Sequence, residues 1–545
     1  MKYLFASMTS TIVCILLAVV TVCSAVPAWY LNARQSFIES EASMRVGAGQ
    51  VLNAKEEKVN RYLMQLKNAA VQESITSTIP YPPAVSFFKS KDWIDNSTIY
   101  DIIKLMPKGG VLHLHDGAMT SLNWTVKTLT YLPNLYTKKD NDRFSTRLFN
   151  FSVTSPGSDW DLVSDLRQKS GNVEQFDEIV EGERDLSASG FELETLFEFI
   201  NHELFCRLDH ASNTIKRLMD EISIKVTDPF ISYPSINDVW QKFNCYFNSM
   251  FGLIHNLPNI KLYVEQALKE FYSDGVQYME FRSGFFVDTN GTDVTESYLK
   301  ILQTAVTEFK QQHSDFVGVR VIIPGTRSSS PDQMANEVSR ALGFMQEFPD
   351  LVMGFDLVEQ EDTNHDTLYF VDQLLKDDRS IMPYFFHAGE TDWNQGVDYN
   401  LIDSVLLNAS RIGHGFAAMR HPKVMEAVIA RGIAIELNPI SNQVLGLVND
   451  IRNHPGSTLI GYGAPVVVSS DDPAVWFASP LSHDFYMAFM ALGGLEDDLR
   501  LLKQLAINSF VYSTLTEEQK EAALQKWQTR WNAFIDDVIA KYSLQ

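Results

Sequence analysis

Residues 109–115 read Gly-Gly-Val-Leu-His-Leu-His (GGVLHLH), a short apolar run that ends in two histidines. Comparable runs recur downstream: GVQYMEFR at 275–282, VGVRVII at 317–323, VMGFDLV at 352–358 and IAIEL at 433–437. VVVSS follows at 466–470, and shorter runs stand at 384–387 and 411–414. With the first run placed at 110–115, these give eight strands, most of them separated by a helix-length segment. Their apolar character is continuous rather than alternating, as in a parallel strand buried on both faces. Eight such units predict an α/β fold, a (β/α)8 TIM barrel. The gap between the first two strands is far longer than one helix needs. It predicts a subdomain of about 122–255, inserted between strand 1 and helix 1. The barrel chain as a whole then runs over 106–545. Residues 26–105 show helical spacing and no strand texture, so they predict an N-terminal helical extension.

The chain has 545 residues, 45% hydrophobic and 12% aromatic, enough for a sizeable core. Its net charge of −23 argues against nucleic acid or an anionic membrane as a partner, because phosphates are repelled. Residues 1–25 read as a signal peptide: Lys2 precedes the apolar run 11–22 (TIVCILLAVVTV), and Cys23-Ser24-Ala25 offers small residues for cleavage. A run this short favours a signal peptide over a membrane span, the alternative being a signal anchor that is never cut, and no other stretch is long and apolar enough to cross a bilayer. The chain is therefore expected to be secreted and extracellular. Secretion makes the sequons at Asn96, Asn123, Asn150, Asn290 and Asn408 candidate glycosylation sites. Of four cysteines, Cys14 and Cys23 leave with the signal. Cys206 and Cys245 are then either one disulfide or two buried thiols.

In a barrel of this kind the active site lies at the C-terminal strand ends. The polar residues gather there. Strand 1 ends in His113-Leu114-His115, strand 5 in His387-Ala388-Gly389-Glu390, strand 6 in His414, and strand 8 in Ser470-Asp471-Asp472-Pro473. His113 and His115 alternate along a strand, so both imidazoles share a face and can hold one metal. His387 and Asp471 complete a set of three imidazoles and one carboxylate. That set suits zinc with a further position open to water, whose pKa zinc lowers to near neutral. Singly, each element has a plain structural reading: Asp-Asp-Pro is a turn, Glu390 a first-turn helix carboxylate, His414 a core histidine. Four of them at four strand ends, in order, are not explained that way.

MPKGGVLHLHDGA, HAGET, RIGHGF and SSDDPA together resemble the adenosine and AMP deaminases. GFDLV, PYFFHAGETDW, NPISNQVL and the tail from LRLLKQLAINSF to QTRWNAFI resemble their secreted branch, the adenosine deaminase growth factor family. The resemblance covers about 30–535 and is weakest over 120–235. It implies hydrolysis of adenosine, and with it 2′-deoxyadenosine, to inosine and ammonia, with one zinc per chain. It further implies homodimerisation through the helical extension, and a cell-surface receptor or glycan as partner of the insert. Growth promotion then follows from adenosine depletion. His113, His115, His387 and Asp471 match the family's zinc ligands. Glu390 matches the acid that protonates purine N1, and His414 the base beside the attacking water. Asp472 matches the contact to purine N7, Trp240 an aromatic on the ribose side, and Asp116 a carboxylate near the 5′-hydroxyl. Where the family carries a glycine whose N–H meets purine N3, this chain has Glu359, so backbone angles open only to glycine are expected to be lost. The cysteines early in the insert of vertebrate members have no counterpart, since no cysteine lies between 24 and 205. Two other readings stand beside adenosine deamination: a nucleotide deaminase acting on AMP, and a signalling protein on a deaminase scaffold.

Overall fold

The computed structural model describes residues 26–139, 147–170, 228–288, 291–376 and 382–545, with 219, 222–224 and 226. The signal segment, Asn290 and Cys206 lie outside the described residues. Among the described residues there are eleven strands. β1 (Gly109–Val111) precedes three short antiparallel strands, β2 (Leu135–Lys139), β3 (Arg147–Phe151) and β4 (Asp161–Leu162). Seven more follow: β5 (Val276–Arg282), β6 (Gly318–Thr326), β7 (Val352–Val358), β8 (His387–Ala388), β9 (Arg411–His414), β10 (Ala434–Leu437) and β11 (Val466–Val468).

The barrel forms from two parallel quartets, β1-β5-β6-β7 and β8-β9-β10-β11. Bridges Phe355↔Tyr384 and Leu114↔Asp471 join them into the expected (β/α)8 barrel. At the second seam the Asp471 N–H donates to the His113 carbonyl (3.1 Å) and the His115 N–H to the Asp471 carbonyl (3.3 Å). Ring closure and the gathering of candidate ligands are thus one event. Every residue of β5 is buried, Glu280 and Arg282 included, which is why no alternation shows in the sequence.

Three strands are shorter than the apolar runs suggest. The run 110–115 pairs regularly only through Val111, 384–387 contributes β8 and the single bridge at Tyr384, and 466–470 stops at Val468. At the mouth the chain leaves strand geometry to aim side chains: His414 and Asp471 take φ of 60° and 58°. Left-handed backbone of this kind in a non-glycine residue costs about 1–2 kcal/mol.

The segment between β1 and β5 holds the Leu122–Leu129 helix, the small β3-β2-β4 sheet and two longer helices, Ile236–Ile254 and Leu257–Ser273. Ile236–Ile254 crosses β3 so closely that a Cβ on Gly252 would sit 1.8 Å from the Phe149 carbonyl oxygen. Its other end reaches the barrel mouth. Cys245 is buried in this helix. Asn96, Asn123 and Asn408 are exposed, and Asn150 on β3 is half-buried.

The region before the barrel is helical but not uniform. Ala28–Met44 buries no residue. Ala54–Thr76, started by a capping box between Asn53 and Glu56, packs on the C-terminal helices Leu499–Val511 and Glu517–Lys541. Glu56 Oε1 accepts from Lys503 Nζ and Trp531 Nε1, each at 2.7 Å. Lys67 Nζ donates to the carbonyls of Gly494 and Asp497 at 2.8 Å. These buried bonds make residues from Asn53 onward part of the barrel's own packing.

Candidate active site

His113 and His387 are each held from behind by a buried carboxylate. His113 Nδ1 lies 2.5 Å from Glu436 Oε2, and His387 Nδ1 lies 2.7 Å from Asp356 Oδ2. The acceptors fix the tautomers: each Nδ1 carries the proton, so each Nε2 turns a lone pair to the barrel mouth. There His113 Nε2 faces Asp471 Oδ1 at 3.2 Å, and His115 Nε2 faces the same oxygen at 3.2 Å. The His387 ring stands 4.5 Å from His113 and 5.3 Å from His115, centroid to centroid.

The sequence-derived ligands His113, His115, His387 and Asp471 therefore converge. His414 converges with them: donor atoms of His113, His387, His414 and Asp471 all lie within 4.8 Å of one another. Hydrogen-bond partners separate the five. The rear nitrogens of His113 and His387 meet carboxylates, as those of metal-bound imidazoles commonly do. His414 Nδ1 meets the Asn442 carboxamide instead, at 3.0 Å.

Four buried atoms here have no hydrogen-bond partner: His113 Nε2, Asp471 Oδ1, Glu390 Oε1 and Asp472 Oδ1. Lone pairs of a neutral imidazole and a carboxylate 3.2 Å apart call for a cation between them, and the donor set fits a metal ion. Protonation agrees. Burial pushes His387 down to about 4, lowers His115 and holds His414 far below its ordinary value, leaving the neutral form that ligates. Burial works to raise Asp471, yet the adjacent His113 and His115 rings outweigh it and keep the carboxylate well below its ordinary range. His113 is the exception: burial and Arg282 lower it, but Glu436 and Asp471 outweigh them and raise it, so a cation at Nε2 has to displace a proton there.

Beneath the ligands lies a buried ionic lattice that the sequence reading did not single out. Arg282 Nε meets Asp356 Oδ2 and its Nη2 meets Glu436 Oε2, both at 2.8 Å. Arg411 Nε meets Glu436 Oε1 (2.6 Å) and its Nη2 meets Glu280 Oε2 (2.7 Å). The available signal was a charge inside a fully buried strand: Asp356 in GFDLV, Glu436 in IAIEL, Arg282 in MEFR. Such charges survive only in mutual pairs.

Glu390 and Asp472 take the opposite protonation. Burial, followed by the charges of Asp471, Glu361 and Asp362, raises Glu390 well above its ordinary value. Burial, with Asp471 beside it, does the same to Asp472. Both shifts favour the protonated form, the one that can donate. Glu361 positions Glu390 by accepting its backbone N–H at 2.7 Å.

These groups open on a cavity of about 490 Å³. Trp240, Phe243 and Phe247 from the Ile236–Ile254 helix form one wall, and Glu359 stands on another. Glu359 corrects an expectation: it keeps the left-handed backbone, at φ 85°, despite its side chain. The carboxylate turns away to accept from the Ser328 N–H (2.8 Å) and Oγ (3.1 Å). Asp116 is not among the residues lining the cavity. Its Oδ2 accepts from Ser283 Oγ at 2.7 Å, and burial raises it to about 6.

A parallel (β/α)8 barrel with imidazoles, one ionised carboxylate and two carboxyls shifted toward the acid form at its mouth defines a barrel hydrolase of the metal-assisted class. Residues 215–529 match the family signature described as adenosine deaminase, and 11–103 match the adenosine/AMP deaminase N-terminal signature. The chain belongs to the adenosine deaminase family. It is 37% identical over 524 residues to adenosine deaminase 2 of Homo sapiens, covering 94% of each chain. It is 38% identical over 513 residues to adenosine deaminase 2-A of Danio rerio, covering 92% of this chain and 93% of that one. With the adenosine deaminase of Lutzomyia longipalpis it shares 37% over 546 residues, 97% of this chain and 99% of that one.

Proposed function

We propose that this chain is an extracellular, zinc-dependent adenosine deaminase that converts adenosine, and 2′-deoxyadenosine, to inosine or deoxyinosine and ammonia. The observation that carries the reading is Glu390, a buried carboxylic acid with a free oxygen facing the cavity beside the ligand set. His113, His115, His387 and Asp471 hold the zinc. When bound, it supplies water activated at neutral pH. Glu390 gives its proton to purine N1, which makes C6 electron-poor enough for attack. Asp472, also protonated, donates to N7. Trp240 and Phe247 enclose the nucleoside and exclude water, and the Glu359 N–H stays turned toward N3. The leader at 1–25 carries the chain out of the cell, where Asn96, Asn123 and Asn408 are exposed for glycosylation.

The cavity lining described includes no lysine or arginine, while it includes Glu359, Glu390, Asp471 and Asp472. A dianionic 5′-phosphate finds no cationic side chain there to neutralise it, whereas a neutral 5′-hydroxyl needs none, which separates adenosine from AMP. The test is an absorbance assay on purified protein with adenosine, 2′-deoxyadenosine and AMP, before and after chelation and zinc return. We expect adenosine to exceed AMP by at least about 10²-fold in kcat/KM, with activity lost to the chelator and restored by zinc. Equal turnover of AMP would transfer the chain to the nucleotide deaminases. Full activity in metal-free protein would end the zinc reading.

A further inference from the structure

Behind His414, on the side away from the cavity, three hydrogen bonds run in series through side chains that the proposed reaction leaves idle. The first is the Gly456 backbone N–H to His454 Nδ1, at 2.9 Å. A backbone N–H only donates, so His454 Nδ1 is an acceptor and the ring proton sits on Nε2. His454 Nε2 lies 2.8 Å from Asn442 Oδ1, and that proton is donated there. With Oδ1 thus assigned as the acceptor, the other atom of the carboxamide is the NH2 group. It lies 3.0 Å from His414 Nδ1 and donates to it. Both Asn442 and His454 are buried, with 0% and 1% exposure, so bulk water does not compete for these bonds. An isolated carboxamide between two imidazoles allows either polarity. Here the backbone amide at one end removes that freedom.

We propose that Asn442 and His454 are positioning residues that lock His414 in its Nε2–H tautomer, so that His414 acts as a hydrogen-bond donor at the barrel mouth and not as a base. The consequence at each ring nitrogen is specific. Nε2 faces Asp471 Oδ2 at 3.8 Å, on the side where the attacking water must lie, and from there it presents a proton. It can orient the water's lone pairs, but it has none of its own to receive the water's proton. Nδ1, already accepting from Asn442, stands 3.4 Å from Glu390 Oε1. A lone pair at that nitrogen repels a carboxylate and tolerates a carboxylic acid, so the same relay favours the proton-bearing form of Glu390. The relay is carried by two elements, the Pro439–Val444 helix and the turn before the Gly456–Gly461 helix. His414 itself is held in the left-handed region and its side chain is buried.

This inference rests on the deaminase reading for its catalytic consequence but not for the tautomer. The experiment is therefore in two parts on the full-length, zinc-loaded protein with 15N-labelled histidine. Long-range 1H–15N spectra distinguish a protonated from an unprotonated ring nitrogen, and the His414 signals are those missing from His414→Gln. We expect wild-type His414 to be protonated at Nε2 alone. A wild type protonated at Nδ1 overturns the proposal whatever the variants do. Asn442→Asp has nearly the same shape but two acceptors, so it requires a proton on His414 Nδ1. We expect the Nδ1 signal to become protonated and kcat for adenosine to fall at least about 10²-fold, with KM within about threefold. His454→Gln, whose amide still donates to Asn442 Oδ1, retains the Nε2–H tautomer and most of kcat, whereas His454→Leu retains neither. Asn442→Asp with an inverted tautomer and unchanged kcat refutes the catalytic half. If wild type shows the expected tautomer yet leaves adenosine untouched, the deaminase reading fails and the relay stands.

Discussion

Glu359 shows what the site demands of single residues. Its φ of 85° suits glycine, and a side chain there costs about 1–2 kcal/mol. Two hydrogen bonds to Ser328 offset part of that cost. Glycine at this position relieves the strain and loses the bonds, whereas alanine loses the bonds and retains the strain. Glu359→Ala should therefore be less stable than Glu359→Gly by about 1–2 kcal/mol in urea unfolding; equal stabilities would mean that the backbone relaxes elsewhere. Glu390 is the residue on which turnover depends. Glu390→Gln retains the shape and removes the acidic proton. We expect zinc content to be unchanged and kcat to fall at least about 10²-fold. Near-normal turnover would require another acid at N1.

At the scale of elements, strands carry the ligands and one helix roofs them. The eight apolar runs and their terminal histidines were legible because burial on both faces writes a continuous apolar signature and because ligands at strand ends share a spacing. Strand ends were less legible: the turns at His414 and Asp471 are set by contacts across the barrel, which no local pattern records. Asp356, Glu436, Arg282 and Arg411 sit inside runs that read as apolar, and their partners are distant in sequence. The Asn442–His454 relay has no local signature at all. Asp356 nonetheless orients His387 through both its backbone N–H and its ring. Asp356→Asn should weaken zinc binding about 10–100-fold in chelator competition; unchanged affinity would show that packing alone holds the ring. The roofing helix ends at His255, whose ring stacks on Phe286 (3.9 Å) and meets a tilted Phe251 ring (4.0 Å). Burial lowers His255 to about 4. The folded state then binds fewer protons than the unfolded state between pH 6.5 and 4, so stability is lost as pH falls through that window. At 1.36 kcal/mol per unit the loss reaches about 3 kcal/mol. His255→Phe should flatten the stability profile over this range, and an equally steep profile in the variant would place the titrating group elsewhere.

The whole molecule leaves one helix unaccounted for. Ala28–Met44 buries none of its residues, while Trp29 and Phe37 are each 70% exposed and Tyr30, Leu31 and Met44 about half exposed. Seventeen residues make a marginal helix alone in water, so this one requires a surface to cover its aromatics. A second copy of the chain supplies it if the two helices dock, which is the homodimer the family resemblance implies. The rest of the helical region has a different task. Arg45 pairs with Asp497, the Val46 N–H donates to the Ile460 carbonyl, and Glu56 neutralises buried Lys503. Removing everything before residue 106 would strand Lys503 inside the protein and confuse assembly with folding, since an uncompensated buried charge costs about 3–5 kcal/mol. A chain beginning at Arg45 behind the leader separates the two. We expect light scattering to give a dimer for the full mature chain and a monomer for the shortened one. Their unfolding midpoints at low protein concentration should be alike, because the helix removed buries no residue and meets the barrel chiefly near the Gly456–Gly461 helix. A shortened chain that remains dimeric would move the interface onto the barrel. A shortened chain that unfolds early would make the helix part of the fold after all.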